Sequence, residues 1–215
     1  MEGKTEGAPT LWGKGIWNIL KEETAWMRGK KIFHTITVRN GKRDLLSNLN
    51  FLVTAHLCPS KKTLERNLRI GKPCGDYVII LMDLDCQDET ILKAEIGAVA
   101  SANFEGRFSI HFATQEIESW MVADPNGFRE VYKRYNTDCI VNKVTPLSHD
   151  PERPDCNPQI SDRLKEAVEK CGEDYRKSIE GPQLLKAVNP SLVASKCSYF
   201  MRLRNDLRCL IEMPS

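Results

Sequence analysis

The sequence predicts an α/β fold: a mostly parallel sheet flanked by helices, with a helical C-terminal cap. Three observations predict it. Residues 77–82 (Tyr-Val-Ile-Ile-Leu-Met) are apolar at every position, as a strand buried on both faces requires. Strand and helix periodicities alternate on either side of that run, the order of a doubly wound sheet. After Asp124-Pro125 the strand signals stop, and helical segments follow towards the C-terminus.

Leu11, Ile16, Ile19 and Leu20 recur at helical spacing after the loop Gly7-Ala8-Pro9-Thr10 and predict a first helix. Residues 31–38 are rich in β-branched and aromatic side chains and close at Asn40-Gly41, so they predict a strand. Leu45, Leu46, Leu49, Leu52 and Val53 predict a second helix, and Leu64 and Leu68 carry a basic helical piece up to Gly71-Lys72-Pro73. The strand at 77–82 comes next and ends in Asp83-Leu84-Asp85. A helix over 88–102 and a strand through Phe108, Ile110 and Phe112 follow, and that strand runs into Gln115-Glu116-Ile117-Glu118 and an amphipathic Trp120-Met121-Val122. Further on, Pro146, Pro151, Pro154 and Pro158 mark a connection before a helix over 162–170. Gly181-Pro182 opens a short helix to Val188, Pro190-Ser191 another, and residues 199–211 form the last. The expected division is an α/β core over 1–125 and a helical cap, or extension of the same domain, over 126–215.

Hydrophobic residues make up 41% of the 215 and charged residues 28%, enough apolar content for a core, which excludes a disordered chain. The apolar run at 77–82 is far below the ~18 residues of a spanning helix, so no membrane partner is expected. No apolar stretch follows Met-Glu-Gly-Lys-Thr-Glu, so no secretory signal is expected and the cytoplasm is the expected location. Eight cysteines (58, 74, 86, 139, 156, 171, 197 and 209) include no Cys-x-x-Cys pair, and most read as small buried hydrophobes. His56-x-Cys58 with Cys74 falls short of the four ligands of a structural zinc site.

The net charge of +2 hides an uneven distribution. Residues 1–75 carry 14 Lys and Arg against 6 Asp and Glu, whereas residues 76–130 carry 3 against 11. Solvated helix faces could give these totals, but so would a phosphate-attracting surface beside a carboxylate cluster, as a metal-dependent enzyme of nucleic acid needs. Alternation places Asp83 and Asp85 on one face at the carboxyl end of their strand, where open α/β sheets bind ligands. Such a pair suits Mg²⁺ or Mn²⁺, its plainer alternative being to cap the following turn. Glu116 and Glu118 would bring a second pair to the same edge, and four like charges repel unless a cation neutralises them. Lys30, Lys31, Arg39, Lys42 and Arg43 flank the strand at 31–38, with Lys42 and Arg43 as candidate phosphate contacts. His111 faces along a strand and reads as a packed histidine.

Glu2-Gly3-Lys4-Thr5-Glu6 resembles the Glu-Gly-x-Thr-Glu motif of Toprim domains, the fold shared by topoisomerases, bacterial primases and overcoming-lysogenisation-defect nucleases. Asp83-Leu84-Asp85 resembles the Toprim Asp-x-Asp motif. Glu116-Ile117-Glu118-Ser119-Trp120 resembles the third acidic motif of a small bacterial Toprim-like family. Together they cover about residues 1–125. The resemblance implies a Toprim-like core and a nuclease of DNA or RNA that works in bacterial antiviral defence, with nucleic acid and a partner ATPase as partners. It implies Glu2, Asp83 and Asp85 as catalytic residues, and Glu2, Glu6, Asp83, Asp85 and Glu118 as ligands of two Mg²⁺ or Mn²⁺ ions, with Glu116 in a position that other members fill differently. A catalytic lysine from the helical tail would be Lys186 or Lys196. Only Met1 precedes Glu2, whereas the motif normally ends an apolar strand, so that strand is expected upstream or is missing.

Two other classes fit parts of the pattern. A haloacid-dehalogenase-like phosphatase also has Asp-x-Asp after an apolar strand, with Asp83 as nucleophile and Asp85 as acid, but its motif usually opens the domain. A non-catalytic nucleic-acid or partner-binding module of a defence complex would need no complete carboxylate site.

Overall fold

The computed structural model describes residues 77–212 apart from 105–107, 134–135 and 154. The elements predicted before residue 77, together with Glu2, Glu6, Lys42, Arg43 and the His56, Cys58 and Cys74 fragment, lie outside the described residues.

Strands β1 (Val78–Asp83) and β2 (Phe108–Ala113) pair in parallel, in register from Val78 against Phe108 to Asp83 against Ala113. Helix α1 (Glu89–Phe104) makes the crossover that parallel neighbours require. Asp88 starts it, its Oδ1 accepting from the N–H groups of Thr90 at 2.8 Å and Ile91 at 3.0 Å. Alternation along β1 divides it between two cores. Ile80 and Met82 pack with Phe112 against Leu92 and Ile96 of α1, while Leu81 and Ala113 face a larger core on the other side. Both faces are covered, which is why the strand shows no polar stripe.

The larger core is built by the helices that follow: α2 (Glu118–Val122), α3 (Gly127–Val131), α4 (Thr137–Val144), a 3-10 turn (Thr145–His149), α5 (Ile160–Glu169), α6 (Glu180–Ala187), α7 (Pro190–Lys196) and α8 (Ser198–Glu212). Trp120, Phe128, Ile140, Leu164, Leu184 and Phe200 are fully buried in the cluster that also holds Leu81, so the tail and the sheet share one core. Trp120 meets Phe200 edge-on at 5.0 Å. The segment Trp120-Met121-Val122, expected to be amphipathic, is buried on every side because α5, α6 and the 3-10 turn all pack on α2. Among the described residues, no helix is long and apolar enough to cross a membrane.

Helices α3 and α6 approach so closely that a Cβ on Gly127 would lie 3.0 Å from Val188 Cγ1 and 3.2 Å from its backbone nitrogen. Gly127→Ala is therefore expected to destabilise the fold by about 1–3 kcal/mol, the usual cost of overpacking. A lower urea midpoint at unchanged slope would show it.

His111 packs in β2 against α8, with Nε2 3.0 Å from Ser109 Oγ and 3.2 Å from Asp206 Oδ2. Burial pushes the imidazole below its usual value, and the Asp206 carboxylate offsets this only in part. The unfolded chain therefore takes the proton first as pH falls. Stability from a neutral His111 is complete above pH about 6.5 and is lost progressively below it. Melts from pH 8 to pH 5 are expected to decline more steeply for the wild type than for His111→Gln, and parallel curves would remove His111 as the cause.

Four cysteines correct the reading of small buried hydrophobes. Cys86 is bonded to Cys156 and Cys139 to Cys171, across separations of 70 and 32 residues that conceal any pairing in the sequence. Cys197 is buried and free, and Cys209 is exposed.

Candidate metal centre

The ladder between β1 and β2 continues past both strands: Leu84 N–H donates to the Ala113 carbonyl at 2.9 Å and Asp85 N–H to the Gln115 carbonyl at 2.8 Å. Asp85, Cys86 and Gln115 take positive φ values of 47°, 61° and 51°. Left-handed backbone at non-glycine residues is strained and needs support from its surroundings. Here all three residues follow the ends of the paired strands, next to the acidic side chains. One carboxylate oxygen from each of Asp83, Asp85 and Glu116 lies within 4.8 Å of the others. Asp83 Oδ1 also accepts from Ile117 N–H at 2.8 Å, joining the two acidic segments.

Glu118 goes elsewhere. It begins α2 and is fully buried, with Oε1 accepting from the Tyr175 hydroxyl at 3.2 Å and paired with Lys177 Nζ at 3.0 Å. The same ammonium donates to Glu116 Oε1 at 2.9 Å. Glu118 Oε2 is buried with no hydrogen-bond partner among the described residues. Burial raises the Glu118 carboxyl above the usual range, with Lys177 acting against it. At Glu116 burial pushes the same way, but Lys177 and Ser161 outweigh it and hold the carboxyl below that range. Burial works against the charge of Lys177 as well, yet Glu118, Asp83 and Glu116 together hold its ammonium above its ordinary value. The Tyr175 hydroxyl is pushed up by burial and then by Glu118.

Neither lysine expected from the tail stands here. Lys186 is exposed on α6, and Lys196 donates to the Ala123 carbonyl at 2.9 Å. Lys177 sits in the turn before α6, in a Tyr-Arg-Lys stretch that carries no motif. The one sequence signal for it is the general need of four carboxylates for a counter-charge.

The centre of this arrangement falls inside a recognised family. The family described as a domain of unknown function, DUF4276, matches residues 19–208. The chain belongs to DUF4276. No curated protein and no solved structure matches it. Asp83, Asp85, Glu116, Glu118, Tyr175 and Lys177 all lie within the DUF4276 span, whereas Glu2 and Glu6 precede it.

In this DUF4276 chain a second segment is fastened to the centre. Gln115 Nε2 donates to the carbonyls of Arg153 at 2.6 Å and Asp155 at 2.7 Å, and its Oε1 accepts from Ile160 N–H at 2.9 Å. Ser161 N–H donates to Glu116 Oε2 at 3.2 Å. The Cys86–Cys156 disulfide ties the residue after Asp85 to the same segment. Cross-links over long loops typically stabilise by about 2–4 kcal/mol. Cys86→Ser with Cys156→Ser is expected to lower the melting temperature and to weaken Mn²⁺ binding about tenfold, as loss of a support behind a ligand does. Calorimetric titration with Mn²⁺ reads the second effect, and an unchanged affinity would confine the disulfide to stability.

Proposed function

We propose that this DUF4276 chain is a metal-dependent nuclease with a Toprim-like carboxylate site. The observation that carries the reading is the convergence of Asp83, Asp85 and Glu116 at the carboxyl ends of two parallel strands. Their donor set is hard oxygen only, which suits Mg²⁺ or Mn²⁺. Lys177 pairs with Glu116 and Glu118 beside this cluster, and Glu118 keeps an oxygen that nothing described satisfies. Asp83, Asp85 and Glu116 would hold the ion. When bound, it would supply Lewis-acid stabilisation of charge on a phosphodiester oxygen.

The remaining roles belong to the chain itself. Lys177 fixes Glu116 Oε1, and Glu118 with Tyr175 positions Lys177. By resemblance, Glu2 and Glu6 add ligands, Glu2 joins Asp83 and Asp85 in catalysis, and Lys42 and Arg43 draw in phosphates. Nucleic acid as substrate, a partner ATPase and a role in defence belong to the same reading.

Incubating the purified chain with Mn²⁺ or Mg²⁺ and, separately, DNA, RNA and a generic phosphate monoester tests it. Chelator-sensitive cleavage of DNA or RNA is expected. Hydrolysis of the monoester alone would favour a phosphatase, and metal-independent binding without cleavage a binding module.

A further inference from the structure

The segment fastened to the metal centre also walls a cavity of about 310 Å³, at the lower end of the range that holds small organic ligands. Leu147 and Ile160 give it apolar surface, and Arg153, Arg163, Asp150 and Asp155 give it charge. Its wall is continuous with the centre, because Gln115 binds the backbone of Arg153, Asp155 and Ile160, and Ser161 binds Glu116. Arg163, with only 11% of its side chain exposed, pairs with Asp155 Oδ2 at 2.8 Å, and Arg153 pairs with the other oxygen of that carboxylate. Two planar guanidiniums are thereby held around one acceptor, beside an apolar wall.

The charge decides what this cavity suits. Two aspartates offset the two arginines, which leaves His149 as the remaining titratable group of the lining, so a phosphate gains little net attraction there. An unstacked nucleic-acid base fits better: it is uncharged, stacks on guanidinium planes and apolar surface, and offers its edge to arginine donors and aspartate acceptors. A base in a duplex cannot reach such a cavity without being unpaired and unstacked. We infer that the cavity takes one unstacked base next to the phosphate held at the carboxylate centre, so that the substrate is a single strand. This rests on the nuclease reading and specifies the form of its substrate.

The test measures binding of the full chain, with Mn²⁺ and at low salt, to a labelled single strand with a non-hydrolysable backbone, the same backbone made abasic, and the corresponding duplex. The intact single strand is expected to bind about tenfold more tightly than the abasic one, as stacking of a base gives, and more tightly than the duplex. Arg163→Ala is expected to erase that difference while leaving Mn²⁺ binding unchanged. Arg153→Ala does the same from a side chain that is 51% exposed, where folding is not at stake. Equal affinity for intact and abasic strands, or preference for the duplex, alongside metal-dependent cleavage would overturn the base cavity and leave the nuclease standing. If no strand binds and none is cleaved, both fall.

Discussion

Asp83→Asn and Asp85→Asn are each expected to abolish stabilisation by Mn²⁺ and to lower nucleic-acid cleavage by at least about a hundredfold. The estimate is a floor, since changes merely behind a ligand already cost 10- to 100-fold. A neutral amide keeps the shape of the carboxylate and is a poor ligand for a hard divalent ion. In Asp83→Asn the Oδ1 acceptor for Ile117 N–H survives, so the junction between the two acidic segments is kept. Removing one charge from three oxygens that lie within 4.8 Å of one another also relieves repulsion. In Asp83→Asn that relief is set against the lost attraction to the Lys177 ammonium, so the metal-free variants are expected to melt near the wild-type temperature. Melts with and without Mn²⁺ read both effects, and a double variant that keeps the wild-type Mn²⁺ shift would refute the centre.

What the sequence reveals of this site depends on how local each signal is. Residues 77–82 announce β1 because a strand covered on both faces has no polar period to confuse with a helix. Asp83 and Asp85 are legible for the same reason, since they close that run. Glu116 and Glu118 are visible as a pair, but their separate fates are not. Alternation would keep both on one face only if the strand continued, and instead Gln115 turns left-handed and α2 begins at Glu118, which sends that side chain into the core. The partners that decide the electrostatics lie far away in sequence: Tyr175 is 57 residues from Glu118, and Lys177 is 61 from Glu116. No periodicity carries information over such spans. The buried Trp120 was equally hidden, because three separate elements have to assemble before its polar-looking flank is covered.

Lys177→Met should show how far one cation supports this acidic edge. Breaking a buried ion pair by removing one partner typically costs about 3–5 kcal/mol, because the other charge stays behind unpaired. With 45% of the Lys177 side chain exposed, water reaches the ammonium, and a loss of about 2 kcal/mol is the better expectation. Most of the loss should come from Glu118, which is fully buried and keeps the Tyr175 hydroxyl on Oε1. Glu118→Gln alone should be near neutral, since it removes the buried charge while sparing the pair between Lys177 and Glu116. In the Glu118→Gln background, Lys177→Met should then cost less than half of what it costs in the wild type. A double-mutant cycle built on urea unfolding measures that coupling directly. A Lys177→Met penalty of the same size in both backgrounds would mean that the lysine acts through Glu116 and Asp83 alone, and that Glu118 has no part in positioning it.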